Sequence, residues 1–216
     1  MVIPYAVVFD CDGTIADTES LSSRAWTEAL DEHGYTATDD DFRAVIGHPF
    51  PQNWAYFSRR VDLGDRDRFR DGLRIRFRAL LDTDLQVHPD AQETIRRLAA
   101  CSVPLAVASS SSHAHVERVL DHAGVRALVT AVIGADDVAH AKPAPDPYLD
   151  ACARLEADPT RSTAVEDTAV GVTSATSAGL FTVGVLRVHT RREDLVDADR
   201  VVERVTVEAL VSPQAL

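Results

Sequence analysis

The sequence predicts an α/β protein, a doubly wound parallel sheet with an all-helical segment inserted near its start, and three observations predict it. Apolar runs at residues 5–9, 104–108, 128–133, 163–165 and 181–185 alternate with helix-like stretches at 91–100, 113–123, 146–155 and 169–178, the order of strands and crossover helices in a parallel sheet. From about residue 17 to 84 the alternation stops, and arginine-rich segments with helical spacing take over, as in Phe69, Leu73, Phe77, Leu80 and Leu81. The third observation is Asp10-Cys11-Asp12-Gly13-Thr14, which closes the first apolar run and puts two carboxylates where ligand sites of parallel sheets lie.

Taken in order, Tyr5-Ala6-Val7-Val8-Phe9 is continuous and rich in β-branched and aromatic side chains, which marks an interior strand. Asp10 and Asp12 leaving it repel each other. A divalent cation or a retained proton relieves that repulsion, and hard oxygen ligands favour magnesium over zinc. Gly13 lets the backbone bend where a side chain would clash. The plainer alternative is a turn whose aspartates only cap the next helix. Cys11 reads as a small core residue on the strand's far face.

The insert leaves the core near residues 16–18 and returns near 83–89, two hinges of the kind that carry a lid. Trp26, Trp54, Tyr56 and Phe57 are candidates for its core or for a wall facing substrate. The arginines between Arg66 and Arg78 interleave with acids, as a solvated helix face does. His88-Pro89-Asp90 suits a helix N-terminus. Residues 105–108 run into Ser109-Ser110-Ser111-Ser112 and then a helix, so that hydroxyls and free N–H groups form a cradle for phosphate. His113 and His115 fall in the first turn of that helix and read as surface residues. Lys142 precedes Pro143, and its ammonium can pair with a phosphate oxygen and a carboxylate together. It is the only lysine; every other cationic side chain counted with it is arginine. Residues 163–165 end in Glu166-Asp167-Thr168, a second acidic pair before a helix.

Composition narrows the function. With 216 residues and 45% apolar content, the chain can bury one substantial core and a small second lobe. No stretch reaches about 18 consecutive apolar residues and the first strand begins almost at once, so neither a membrane span nor a signal peptide is expected. A cytoplasmic setting follows. Cys11, Cys101 and Cys152 lack metal-ligand spacing and predict neither a disulfide framework nor a structural zinc. The net charge of −12 argues against nucleic acid and against anionic membranes as partners. A small phosphorylated metabolite needs only a local positive pocket, and a monomer is the default.

Aspartates at a strand end, a hydroxyl cradle, one lysine and a second acidic pair, in that order, resemble the four-motif pattern of the haloacid dehalogenase superfamily. The layout from about Val7 to Val185 is similar to its β-phosphoglucomutase-like branch, including Asp17-Thr18-Glu19-Ser20 after the first motif. The resemblance implies an α/β core from residues 1–16 and 85–216 and a helical cap from 17–84. It implies an Mg2+-dependent phosphatase that hydrolyses a small phosphate monoester, such as a sugar phosphate, through an aspartyl-phosphate. In that scheme Asp10 is the nucleophile and Asp12 the acid and base, while Ser109, with the amides of Ser110 and its neighbours, holds the phosphoryl oxygens and Lys142 neutralises their charge. Asp10, the Asp12 backbone carbonyl and Asp167 are the metal ligands, with Glu166 a further direct or water-mediated one. Thr14 is expected to bond within its turn and Thr168 to cap the next helix. A phosphosugar mutase is the alternative, but that branch carries a histidine where Ser22 stands and an arginine in the lid loop, where this chain offers His48 and no arginine. The phosphonate hydrolases of the branch need a lid lysine, absent here, and the dehalogenases lack the aspartate that Asp12 provides. A non-catalytic binding module is a further alternative.

Overall fold

The structure, a computed structural model that describes residues 3–45 and 50–213, places the first apolar run at the centre of a six-stranded sheet. Strand β1 (Val7–Phe9) is buried throughout and pairs in parallel with β4 (Leu105–Ala108) on one side and β6 (Thr163–Glu166) on the other. Beyond β4 lies β5 (Ala131–Ile133). Beyond β6 lie β7 (Phe181–Val185) and then β8 (Arg200–Val202), all parallel. Such a sheet buries both faces and needs the continuous apolar runs seen in the sequence. The expected α/β parallel-sheet fold is the one found.

Helices follow the strands in alternation: α5 (Pro89–Ala100), α6 (His113–His122), α7 (Asp146–Arg154) and α8 (Ala169–Ser177). Pro89 opens α5, where its missing N–H costs nothing. Val8, Ala106, Ala108, Ile133, Tyr148, Ala151 and Ala164 share one buried cluster, small strand residues leaving room for the α7 tyrosine.

Two expected strands differ at their ends by more than one residue. Residues 126–128 form a 3₁₀ turn, so the strand expected from residue 128 starts at Ala131; the Arg126 guanidinium donates to the Val129 carbonyl at 2.9 Å and fixes the turn. The first strand starts at Val7, because Tyr5 lies at the surface under the Arg161 guanidinium. Strand β8 was not foreseen. It is three residues long, half-buried, and flanked by Asp199, Glu203 and Arg204, the charged, short character of an edge strand.

Residues Met1–Ala16 with Val87–Leu216 form one compact unit and Asp17–Gln86 a second. Strands β2 (Ala16–Asp17) and β3 (Gln86–Val87) pair as a separate two-stranded sheet. The second unit holds α1 (Thr18–Asp31), α2 (Asp39–Val45), α3 (Phe50–Phe57) and α4 (Arg66–Asp84). Asp17 caps α1 by accepting from the Ser20 N–H, and Asp65 caps α4 by accepting from Arg68, each satisfying a donor that the helix itself cannot. Trp26, Leu30, Phe57 and Phe69 form the buried centre, with Trp54 and Tyr56 packed on it. Trp26 lies 5.2 Å from Phe57 and 5.4 Å from Phe69, ring centre to ring centre. The four aromatic residues singled out from sequence therefore serve this unit's own core. Arg66, Arg68, Arg74 and Arg78 are exposed, as an interleaved charge run should be. His48 lies outside the described residues.

Asp41 ties this unit together from α2. Its carboxylate accepts from the Thr38 N–H and hydroxyl, both at 2.8 Å, and from Tyr35 and Tyr56. Those donors, the Thr38 backbone first, hold its pKa down at about 2. A depressed carboxylate stabilises the fold above its ordinary value near 3.8 and loses that contribution as pH falls toward 2. Asp41→Asn is expected to cost about 1 kcal/mol at pH 7 after solvent screening. In urea melts the gap from wild type should narrow below pH 4; a gap that stays constant with pH would contradict this account.

Among the described residues, no helix is long and apolar enough to cross a membrane.

Candidate active site

Strand register assembles the site. Phe9 stands opposite Val107 on one side and Val165 on the other, so the residues that follow in each chain segment, Asp10, Ser109 and Glu166, emerge at the same carboxyl edge. The Asp10 N–H donates to the Val165 carbonyl at 2.8 Å and the Ser109 N–H to Ile133 at 2.9 Å. Their backbones are thus held by the sheet, which sets side-chain positions more tightly than a free loop does.

Lys142 reaches this edge from the segment between β5 and α7, with a cis peptide bond to Pro143. Its ammonium lies 2.6 Å from Asp10 Oδ1 and 2.6 Å from Glu166 Oε1, and the side chain is 2% exposed. Burial opposes its charge, but Asp10 and Glu166 outweigh burial and hold its pKa above the ordinary lysine value. Burial pushes the Asp10 carboxyl well above the usual range; Lys142 opposes this, while Glu166, Asp167 and Asp12 add to it. The buried Tyr148 hydroxyl donates to the same Glu166 oxygen at 2.7 Å. Tyr148 was not recognised in the sequence, since a tyrosine on a helix's apolar face normally reads as core.

Asp10, Glu166 and Asp167 each bring a carboxylate oxygen within 4.8 Å of the others, all buried. Three carboxylates against one ammonium leave an excess negative charge that a buried site tolerates poorly. A donor set of hard oxygens fits a cation such as Mg2+ or Ca2+ and not zinc. Asp167 is oriented by the Thr14 hydroxyl, which donates to its Oδ1 at 3.0 Å. This corrects the expectation that Thr14 bonds within its own turn. Thr168 does cap α8, accepting from the Gly171 N–H, and its hydroxyl also donates to Glu166 Oε2 at 3.1 Å.

Two glycines make the cluster fit. Gly13 has φ +82°, and a Cβ there would stand 2.1 Å from Asp167 Oδ2; at Gly171 a Cβ would stand 1.8 Å from Glu166 Oε1. Gly13→Ala is expected to displace Asp167, to lower stability by about 1–3 kcal/mol through backbone strain, and to cut turnover sharply. Thermal melts and initial rates check this, and a variant with unchanged melting and unchanged rate would refute it.

Asp12 stands apart from the carboxylate triad. Its Oδ2 accepts from the Ser109 hydroxyl at 3.1 Å and the Ser111 hydroxyl at 2.8 Å, and its Oδ1 lies 2.8 Å from His115 Nε2. Burial lowers the His115 pKa, but the hydrogen bond and charge of Asp12 outweigh it and leave it raised. Placing His115 at the surface was therefore wrong. It is the third residue of α6, whose first turn faces the Asp10–Thr14 segment, and its side chain is only 17% exposed. His113 points elsewhere, to Asp137 at 2.7 Å. The Ser110 side chain is exposed, which leaves only its amide for the expected role, and the Ser111 hydroxyl faces Asp12. The alternation of Ser109 and Ser111 across an extended turn was a signal that could have identified the second hydroxyl. Cys11 is fully buried, as expected of a core residue.

Residues 5–179 match the family model described as haloacid dehalogenase-like hydrolase. The chain is 30% identical over 200 residues to validoxylamine A 7'-phosphate phosphatase of Streptomyces hygroscopicus subsp. limoneus, covering 92% of this chain and 93% of that protein. It is 33% identical over 184 residues to the fructose-1-phosphate phosphatase YqaB of Escherichia coli K12, covering 83% and 95%. A solved structure of a β-phosphoglucomutase-type protein from Thermotoga maritima superposes with a TM-score of 0.83 at 24% identity, covering 95% of this chain and 96% of that one. That likeness is one of fold.

Proposed function

The chain belongs to the haloacid dehalogenase-like hydrolase family, and from that we propose that it hydrolyses a small phosphate monoester, a phosphorylated sugar or sugar-like alcohol, through an aspartyl-phosphate on Asp10. The observation that carries this reading is the buried Lys142 ammonium, 2.6 Å from both Asp10 and Glu166. It fixes a carboxylate oxygen at the sheet edge and sets an ammonium donor beside the place where phosphoryl oxygens would gather. Relatives named as phosphatases of phosphorylated sugars and sugar-like compounds support the substrate class.

In the proposed reaction an Asp10 carboxylate oxygen forms a bond to phosphorus as the bond from phosphorus to the alcohol oxygen breaks. Asp12 gives its proton to the departing alkoxide. It then takes a proton from the water that attacks the aspartyl-phosphate, which returns Asp10 and releases inorganic phosphate. Ser109, the amides that follow it and Lys142 hold the phosphoryl oxygens during both transfers. Asp10, Asp167 and the Asp12 backbone carbonyl, with Glu166 directly or through water, would hold Mg2+, which would supply charge compensation between carboxylates and phosphoryl group.

The mutase reading finds less support. A mutase must grip the distal phosphate of a bisphosphate, and Ser22 stands where its branch has a histidine, while residues 47–51 contain no arginine. Incubation with a panel of phosphorylated metabolites, with Mg2+ or EDTA, tests the proposal. Metal-dependent phosphate release is the expected outcome. Conversion of a 1-phosphate to a 6-phosphate without net release would replace it with the mutase, and silence across the panel would favour a binding role.

A further inference from the structure

We propose that His115 is a positioning residue that parks the Asp12 carboxylate in the phosphate cradle between turnovers, so that substrate binds by displacing an anion the chain already supplies. The inference rests on the phosphatase reading above and concerns how that site opens.

The Ser109 hydroxyl, which holds a phosphoryl oxygen in the proposed reaction, and the Ser111 hydroxyl beside it are both turned onto Asp12 Oδ2. The Ser111 N–H donates to Ser109 Oγ at 3.0 Å, which leaves the Ser109 proton directed at Asp12. His115 Nε2 holds the other carboxylate oxygen at 2.8 Å. Each oxygen of Asp12 is therefore held by residues of the serine turn and of α6. A phosphate dianion in the cradle needs the Ser109 hydroxyl, and two anions sharing it would repel. Asp12 must leave for phosphate to enter.

The parts around it show which piece moves. The turn carrying Asp12 is closed by hydrogen bonds from Gly13 N–H to Ala16 and from Ile15 N–H to Cys11, at 2.8 and 2.9 Å. The first turn of α6 is fixed by the Ala135 N–H donating to the Ser111 carbonyl at 2.8 Å and by the His113 N–H donating to Asp136 at 2.7 Å. With both backbones held, the Asp12 side chain rotates while His115 stays. That rotation carries the carboxylate away from the cradle, where it takes up a proton from solvent water and can then give it to the leaving oxygen. Apparent phosphate affinity is then reduced by the fraction of molecules still parked.

Titration calorimetry with inorganic phosphate in the presence of Mg2+, on wild type, His115→Ala and His115→Gln, tests this, with thermal melts to confirm folding. Loss of one hydrogen bond to the parked state should tighten phosphate binding by about fivefold in His115→Ala. KM for the best substrate should fall by a similar factor while kcat does not rise. His115→Gln keeps a donor toward Asp12 and should bind as wild type does. Unchanged or weaker phosphate binding in a folded His115→Ala overturns the parking role while leaving the phosphatase reading intact. A wild type that neither binds nor releases phosphate overturns that underlying reading and the parking role with it.

Discussion

Asp10→Asn is expected to lower phosphate release by roughly 10⁴-fold or more, because an amide of the same shape cannot form the aspartyl-phosphate. The loss should fall on kcat. Asn keeps the size and most contacts of Asp10, and Lys142 retains Glu166 as its partner at 2.6 Å, so the variant should fold and still bind inorganic phosphate. Removing a buried carboxyl that is pushed well above its usual range relieves repulsion within the cluster, and the melting temperature without metal should not drop. Turnover within tenfold of wild type would exclude Asp10 as the nucleophile and leave the acidic cluster as a metal site alone.

The second large effect belongs to Lys142. Lys142→Met matches its length and removes its charge, leaving Asp10 and Glu166 buried without their cation. Breaking a buried pair from one side typically costs about 3–5 kcal/mol, and loss of a phosphoryl-stabilising charge lowers kcat by about 10²–10³. The two losses separate on adding Mg2+. A divalent ion among the carboxylates offsets the missing ammonium, so Mg2+ should raise the variant's melting temperature by more than it raises that of wild type. It should not restore turnover. Lys142→Arg is expected to fail as well, because a planar guanidinium cannot occupy the space of an ammonium with two carboxylate oxygens at 2.6 Å and the Tyr148 ring 5.0 Å away. Equal Mg2+ responses in wild type and Lys142→Met would argue against the shared cluster.

The legible parts of this chain are those where one residue type has one physical reason to be present. Continuous β-branched runs made the central strands readable, because only a strand covered on both faces requires them. Ser109, Lys142, Glu166 and Asp167 were readable because each ends an apolar run or stands out in composition. Less legible were features set by neighbours distant in sequence. Strand β8 is short and charged, and only β7 beside it makes it a strand. His115 looks like any polar residue in a first helical turn until the Asp10–Thr14 segment is placed against it. Thr14 could satisfy its hydroxyl locally, and it is the approach of Asp167 that decides otherwise. The same holds for Ser111, whose hydroxyl the direction of the turn brings to Asp12.

The central position of β1 also bears on how the protein is made. Its partners, β4 and β6, lie far along the chain, so during synthesis the strand bearing Asp10 emerges well before either of them. Until residues 163–166 leave the ribosome, at least one edge of an entirely apolar segment has no permanent neighbour, the kind of exposure that chaperones recognise and that aggregation exploits. Interrupting translation between β4 and β6 should yield insoluble, inactive chains.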